Sequence, residues 1–131
     1  MSLNSRSAVA ARLKRGKRAR ERFVESHLTN GIAYQIRATR EALGWSQETL
    51  AETAAMNQNA IYRMESPTYG RSTITTLKRV AAAMDVALVV RFVPFSELID
   101  WVSGTPRTNH GLTTSALAVA PFAVEEILGR Q

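Results

Sequence analysis

The chain has 131 residues, 45% of them hydrophobic, no cysteine and a formal net charge of +6. That length holds one compact core with flanking segments but not two full domains, and the absence of cysteine excludes disulfides, thiolate metal sites and thiol nucleophiles. No apolar run approaches the roughly 20 residues that cross a bilayer, and the basic N-terminus lacks the continuous apolar core of a secretion signal, so the expectation is a cytoplasmic chain without membrane contact.

Residues 1–30 read as a basic arm, partly helical, with eight basic side chains against Glu21 and Glu25. Residues 31–93 carry seven basic and five acidic side chains, and residues 94–131 two and four, so the whole excess lies in the arm. Such a concentration suggests a polyanion partner or a solubilising tail, and charge alone does not choose. Residues 1–16 read as poorly ordered, with Gly16 interrupting any helix. From Lys17 to Leu28 the composition permits a helix carrying Phe23, Val24 and Leu28, which Asn30-Gly31 is expected to break.

A domain over residues 31–85 follows. Ile32, Ile36 and Leu43 share one helical face, and Gly44 is a C-terminal stop. Ser46 is a good N-cap for a short helix through Ala54. Asn57 can cap the next, which runs to about Glu65, and SPTYG at 66–70 is turn chemistry. Thr73 caps a helix to about Met84, with Ile74, Leu77, Val80, Ala81 and Met84 in one stripe.

After Asp85 the periodicity changes. Residues 87–93, ALVVRFV, are rich in β-branched and aromatic residues and end at Pro94, which reads as a single strand within a linking segment 86–95. A lone strand needs a partner, and no other segment reads as one. Pairing with a second copy through Leu88, Val90 and Phe92 is the natural solution; the alternative is an extended segment lying on the helices. From Pro94 on, PFSELIDWVS allows a short helical turn that leads into the tail 96–131, in which GTPRTNHG is a loop and AVEEIL after Pro121 suggests a last short helix.

The segment 46–65, SQETLAETAAMNQNAIYRME, has the pattern of two crossed helices. Leu50 and Ala54 lie one turn apart on the first, Ile61 and Met64 likewise on the second, and Met56 can plug the angle between them. Ala51 is small enough to let a second helix approach. The second helix then exposes Gln58, Asn59, Tyr62 and Arg63. Gln and Asn bond adenine through paired donor and acceptor, Arg grips guanine at two acceptors, and Tyr contacts a thymine methyl or a phosphate. An ordinary polar helix face has much the same composition.

These residues resemble the Cro/C1-type (XRE) helix-turn-helix family of phage repressors and bacterial regulators. The matching stretches are REALGWSQETLA at 40–51 and MNQNAIYRME at 56–65, within a likeness spanning residues 32–84. The resemblance implies a mainly α fold: a four- to five-helix, lambda-repressor-like DNA-binding domain, here with one C-terminal β-strand pairing across a dimer. It implies base contacts from Gln58, Asn59, Tyr62 and Arg63, and backbone contacts from Ser46, Gln47, Asn57 and Arg71. Arg40 and Glu65 match a partly buried ion pair that joins the first helix to the third. Two departures stand out. Ala55 occupies the turn position usually held by glycine, and the loop SPTYGRST is one residue longer than the common form, which shifts how Tyr69 and Arg71 would meet phosphate.

The resulting expectation is a homodimeric, sequence-specific transcriptional regulator on double-stranded DNA with a near-palindromic operator. An antitoxin is the runner-up, with a toxin held by the tail through Trp101, Phe122 and Ile127. A protein-interaction module that lost DNA binding is a third reading. His27 and His110 lie far apart, and no nucleophile–base pair, metal cluster or phosphate-binding loop is evident, so no enzyme activity, cofactor or metal is expected.

Overall fold

The computed structural model describes residues 2–104. They form α1 (Ser2–Leu13), α2 (Lys17–Ala42), α3 (Gln47–Thr53), α4 (Gln58–Met64), α5 (Ile74–Ala83) and α6 (Phe95–Gly104). The protein is mainly α, and the described residues contain no strand.

The three short helices of the central domain start by one device. Ser46, Asn57 and Thr73 hold extended backbone, and each side-chain oxygen accepts from the N–H three residues on: Thr49 at 3.0 Å, Ala60 at 2.8 Å and Thr76 at 3.2 Å. This satisfies one of the four N–H groups left open at a helix start. A second device ends α2, α3 and α5. A residue with positive φ follows each helix, and the residue after it donates back five positions. Trp45 reaches the Arg40 carbonyl at 3.1 Å, Met56 the Ala51 carbonyl at 2.8 Å, and Val86 the Ala81 carbonyl at 3.0 Å. The reversing residues are Gly44 (φ 73°), Ala55 (φ 55°) and Asp85 (φ 57°). Each turn thereby drops an apolar side chain, Trp45, Met56 or Val86, against the core.

That core is built from Ile36, Leu50, Ala51, Ile61, Met64, Val80 and Met84, with Ile32, Leu43 and Leu77 packed against it. Leu50, Ile61 and Val80 are the largest fully buried side chains. Ile74 departs from the expected stripe: at the first position of α5 it remains 52% exposed.

The N-terminal region differs more from expectation. Residues 2–13 are helical rather than poorly ordered, and α2 runs unbroken for 26 residues through Asn30-Gly31. A mid-helix glycine costs only about 1 kcal/mol relative to alanine, and packing on both sides of it offsets that. The two halves of α2 pack through opposite faces, the second half burying Ala33, Ile36, Thr39 and Arg40 and the first making part-buried contacts. At 3.6 residues per turn, Arg20, Phe23 and His27 lie in one stripe, and Ile36, Arg40 and Leu43 in another roughly 180° away. The first stripe faces the α1/α6 side and the second faces the core. The helix, about 39 Å long at 1.5 Å per residue, therefore joins two packed units.

In the first unit α1 packs on both α2 and α6. Leu13 is buried, the Arg20 guanidinium donates to the Leu13 carbonyl at 3.0 Å, and Arg6 pairs with Asp100. The Arg12 guanidinium lies 5.3 Å from the Phe23 ring centre and that of Arg20 lies 5.9 Å from the Phe95 ring centre. PFSELIDWVS is thus a full helix and not a single turn. Residues 87–93 are in no helix and no ladder within the chain. The expected last helix at 123–128 lies outside the described residues.

Candidate nucleic-acid interface

The α3–turn–α4 unit sets a polar face on a rigid base. Ile61 and Met64 point α4 into the core, and Ile61 has no exposed surface. Gln58, Asn59, Tyr62 and Arg63 then fall on the opposite side and are all exposed. Four side chains that can read base edges or hold phosphate thus share one accessible surface.

What holds this face is a buried polar knot behind it. Arg40 donates to Glu65 through Nε at 2.6 Å and Nη2 at 2.9 Å, a bidentate pair, and its Nη1 donates to the Trp45 carbonyl at 2.7 Å. Gln47 Nε2 adds a bond to Glu65 Oε1 at 3.1 Å. The knot ties the ends of α2 and α4 to the start of α3. Hydrogen bonding to Glu65 raises the Arg40 pKa, outweighing the burial that lowers it. The guanidinium therefore stays charged wherever the protein is folded. Among the described residues no buried side-chain nitrogen or oxygen lacks a partner.

The remaining expected contacts divide by their local roles. Ser46 and Asn57 are exposed, but the oxygen of each already serves as a cap. Gln47, expected as a phosphate clamp, uses one amide hydrogen inside the knot, and the second is left for an outside acceptor. Arg71 is exposed in the loop before α5. That loop packs closely on α2: Gly70 has φ 62°, and a Cβ there would sit 3.0 Å from Thr29 Oγ1. Leu88, Val90 and Phe92 are exposed, Phe92 completely. Trp101 is half-exposed on α6, whereas Phe122 and Ile127 lie outside the described residues.

Sequence reasoning missed the Gln47–Glu65 bond and the engagement of the arm. The signal for the first was present, since a capped helix at Ser46 brings residue 47 to the end of α4. For Arg6, Arg12 and Arg20 there was no local signal, because their partners Asp100, Phe23 and Phe95 are presented only by packing. Among the described residues no helix is long and apolar enough to cross a membrane, and no group of three or more His, Cys, Asp or Glu is placed to hold a metal ion.

Residues 36–90 match the family model described as helix-turn-helix. No curated protein and no solved structure matches the chain. The matched span starts at Ile36, the first core residue of α2's second stripe, and includes the polar knot and the whole of α3, α4 and α5. Residues 36–90 thus form a helix-turn-helix domain similar to that family's, in a span that covers less than half of the chain.

Proposed function

We propose that the protein is a homodimeric regulator that reads a near-palindromic operator, with α4 of each copy in a major groove. The observation that carries this reading is the exposed quartet Gln58, Asn59, Tyr62 and Arg63 on a helix anchored from behind by Arg40 and Glu65. Gln58, Asn59 and Arg63 specify bases, and Tyr62 meets a thymine methyl or phosphate. Ser46, Gln47, Asn57 and Arg71 surround this face and hold the DNA backbone. Half-sites then lie about 34–36 Å apart, one helical turn.

Two further features support this reading. Residues 87–93 expose Leu88, Val89, Val90 and Phe92 in a segment without backbone partners among the described residues, which suits strand pairing with a second copy. On α2, Arg18 and Arg22 lie on the same face as Thr29, which touches Gly70. They sit about 16 and about 10 Å further along the axis. Both are exposed, so phosphate contacts from the loop at 66–72 can continue onto this basic face and add affinity by counterion release.

Selection of bound duplexes from a random pool tests the reading. The expected result is a two-fold symmetric site with half-sites one turn apart, and recovery of no preferred sequence overturns it. The antitoxin reading rests on half-exposed Trp101 as part of a toxin-docking surface. Co-purification of the chain with a small basic protein encoded beside it would favour that reading.

A further inference from the structure

Seven consecutive residues, 87–93, run between α5 and α6, all of them exposed and without a backbone hydrogen bond among the described residues. The groups at either end are already in use. The Val86 N–H is given to the Ala81 carbonyl at 3.0 Å, closing α5. The Pro94 carbonyl accepts from Glu97 at 3.0 Å and Leu98 at 3.3 Å, opening α6, and Pro94 has no N–H to offer. The free donors and acceptors therefore form one uninterrupted row with a fixed beginning and end. Alternation along an extended chain puts Leu88, Val90 and Phe92 on one face and Val89, Arg91 and Val93 on the other.

Symmetry restricts how this row pairs with its own copy. In an antiparallel pair, directly opposite side chains point to the same face, and a two-fold axis normal to the ribbon keeps every residue on its face. One residue of the row must then lie opposite its own copy. Centring on Val89 sets Phe92 against Val86, whose N–H is spent, and Val93 against Asp85, which holds φ 57° outside the strand region. Centring on Arg91 sets two guanidinium groups against each other, which destabilises a pair, and Leu88 against Pro94. Either choice shortens the ladder from seven residues to five. Centring on Val90 uses all seven. Val86 then meets the partner's Pro94, so the positions whose groups are spent face each other at both ends. Leu88 meets the partner's Phe92, a favourable branched–aromatic pair made twice. Arg91 meets the partner's Val89 and remains free to keep its 3.4 Å contact with Glu97.

We propose that two copies of this chain join residues 87–93 in an antiparallel ribbon whose two-fold axis passes at Val90, with Leu88 of each copy against the partner's Phe92. This rests on the homodimer reading above and adds the register to it. The start of α6 in one copy thereby lies beside the end of α5 in the other.

The chain has no cysteine, so single-cysteine variants of the full-length protein report the register directly. Opposite residues of an antiparallel pair lie about 4.5–5.5 Å apart at Cα, within the span of a disulfide, whereas residues two places out of register are about 8 Å apart and beyond it. Under mild oxidation Val90→Cys should give at least tenfold more covalent dimer than Leu88→Cys, Val89→Cys, Arg91→Cys or Phe92→Cys. An equimolar mixture of Leu88→Cys and Phe92→Cys should cross-link although neither does so alone. All five positions are exposed, and melting curves matching the parent's verify that each variant is folded. Preferential cross-linking at Val89 or Arg91 overturns the register and leaves the homodimer standing. A dimer in sedimentation that cross-links at none of the five removes the segment from the interface. A monomer overturns the register and the homodimer together; slow hydrogen exchange at residues 87–93 in that monomer would assign the segment to residues 105–131 of the same chain. A Val90-linked dimer that selects no DNA refutes only the operator reading.

Discussion

Arg40 and Glu65, 25 residues apart, face each other in a two-pronged ion pair whose side chains are only 10% and 4% exposed. The pair joins α2 to the C-cap of α4, so the angle at which α4 leaves the domain depends on it. Glu65→Ala leaves a buried guanidinium without its counter-charge, which costs about 3–5 kcal/mol. Denaturant unfolding should show a loss of that size, with DNA affinity falling in parallel. The double variant Arg40→Met/Glu65→Leu should recover most of the stability, because an apolar pair of similar volume is often neutral. If Glu65→Ala melts like the parent, the pair is not what holds α4.

Ala55 holds φ 55° at the turn between α3 and α4. The left-handed region costs an L-residue about 1–2 kcal/mol, and glycine returns part of this through a more flexible unfolded chain. Ala55→Gly should therefore raise stability by about 0.5–1 kcal/mol, visible as a higher melting temperature. Gly44→Ala, at φ 73° in the equivalent place after α2, should lower it. A destabilised Ala55→Gly would mean that the turn is not left-handed in solution.

The basic face of α2 gives a salt-dependent prediction. Removing residues 1–22 would delete the buried Leu13 and strip Arg20 from the Phe95 ring, so charge-neutral substitutions are the cleaner probe. Arg18→Gln with Arg22→Gln should reduce the slope of log K against log salt by about 1–2, at roughly 0.9 for each phosphate no longer neutralised. Base preference should not change. Arg63→Ala should instead relax preference at one position, with a loss of about 1–3 kcal/mol. Fluorescence anisotropy across a salt series separates the two, and an unchanged slope removes α2 from the interface.

His27 sits on α2, stacked on Phe23, and burial lowers its pKa below the ordinary 6.5. Between the folded value and 6.5 the unfolded chain binds more protons, so stability rises with pH through that window. It is fully present above 6.5 and declines as the medium is acidified. Melting temperatures of the parent should fall below that point relative to His27→Gln, which lacks the titrating ring. Parallel curves for the two proteins from neutral to mildly acid pH would show that His27 is not desolvated.

Val90 is 62% exposed in a segment without a ladder of its own. Proline there removes a backbone donor without disturbing a buried side chain. Val90→Pro should leave the helical content intact and convert a dimer to a monomer in sedimentation. Affinity for a two-half-site duplex should then fall towards that for a single half-site. A parent protein that sediments as a monomer at high micromolar concentration refutes the paired strand.

Much of the helix-turn-helix is legible in the order of its residues, because its determinants are local. Ser46, Asn57 and Thr73 cap helices through bonds that span three residues, and Gly44 ends α2 at its own position. Leu50, Ile61, Met64 and Val80 appear in helical register, so the core and the outward face of α4 follow from periodicity. The ion pair is legible only through the family resemblance, since no spacing rule links residues 40 and 65.

What the amino-acid sequence determined by itself was therefore the helix-turn-helix unit: its helix starts, its stops, its apolar stripe and the residue types on its open face. Tertiary structure decided the fate of the basic arm and the integrity of α2. Asn30-Gly31 reads as a break when only near neighbours are weighed, yet packing on opposite faces of the two halves outweighs the modest cost of a helical glycine. Arg6, Arg12 and Arg20 read as free charge until α6, whose Asp100 lies 94 residues from Arg6, is packed beside α1. Contacts at that separation depend on how whole helices pack, and no local pattern of residues encodes them.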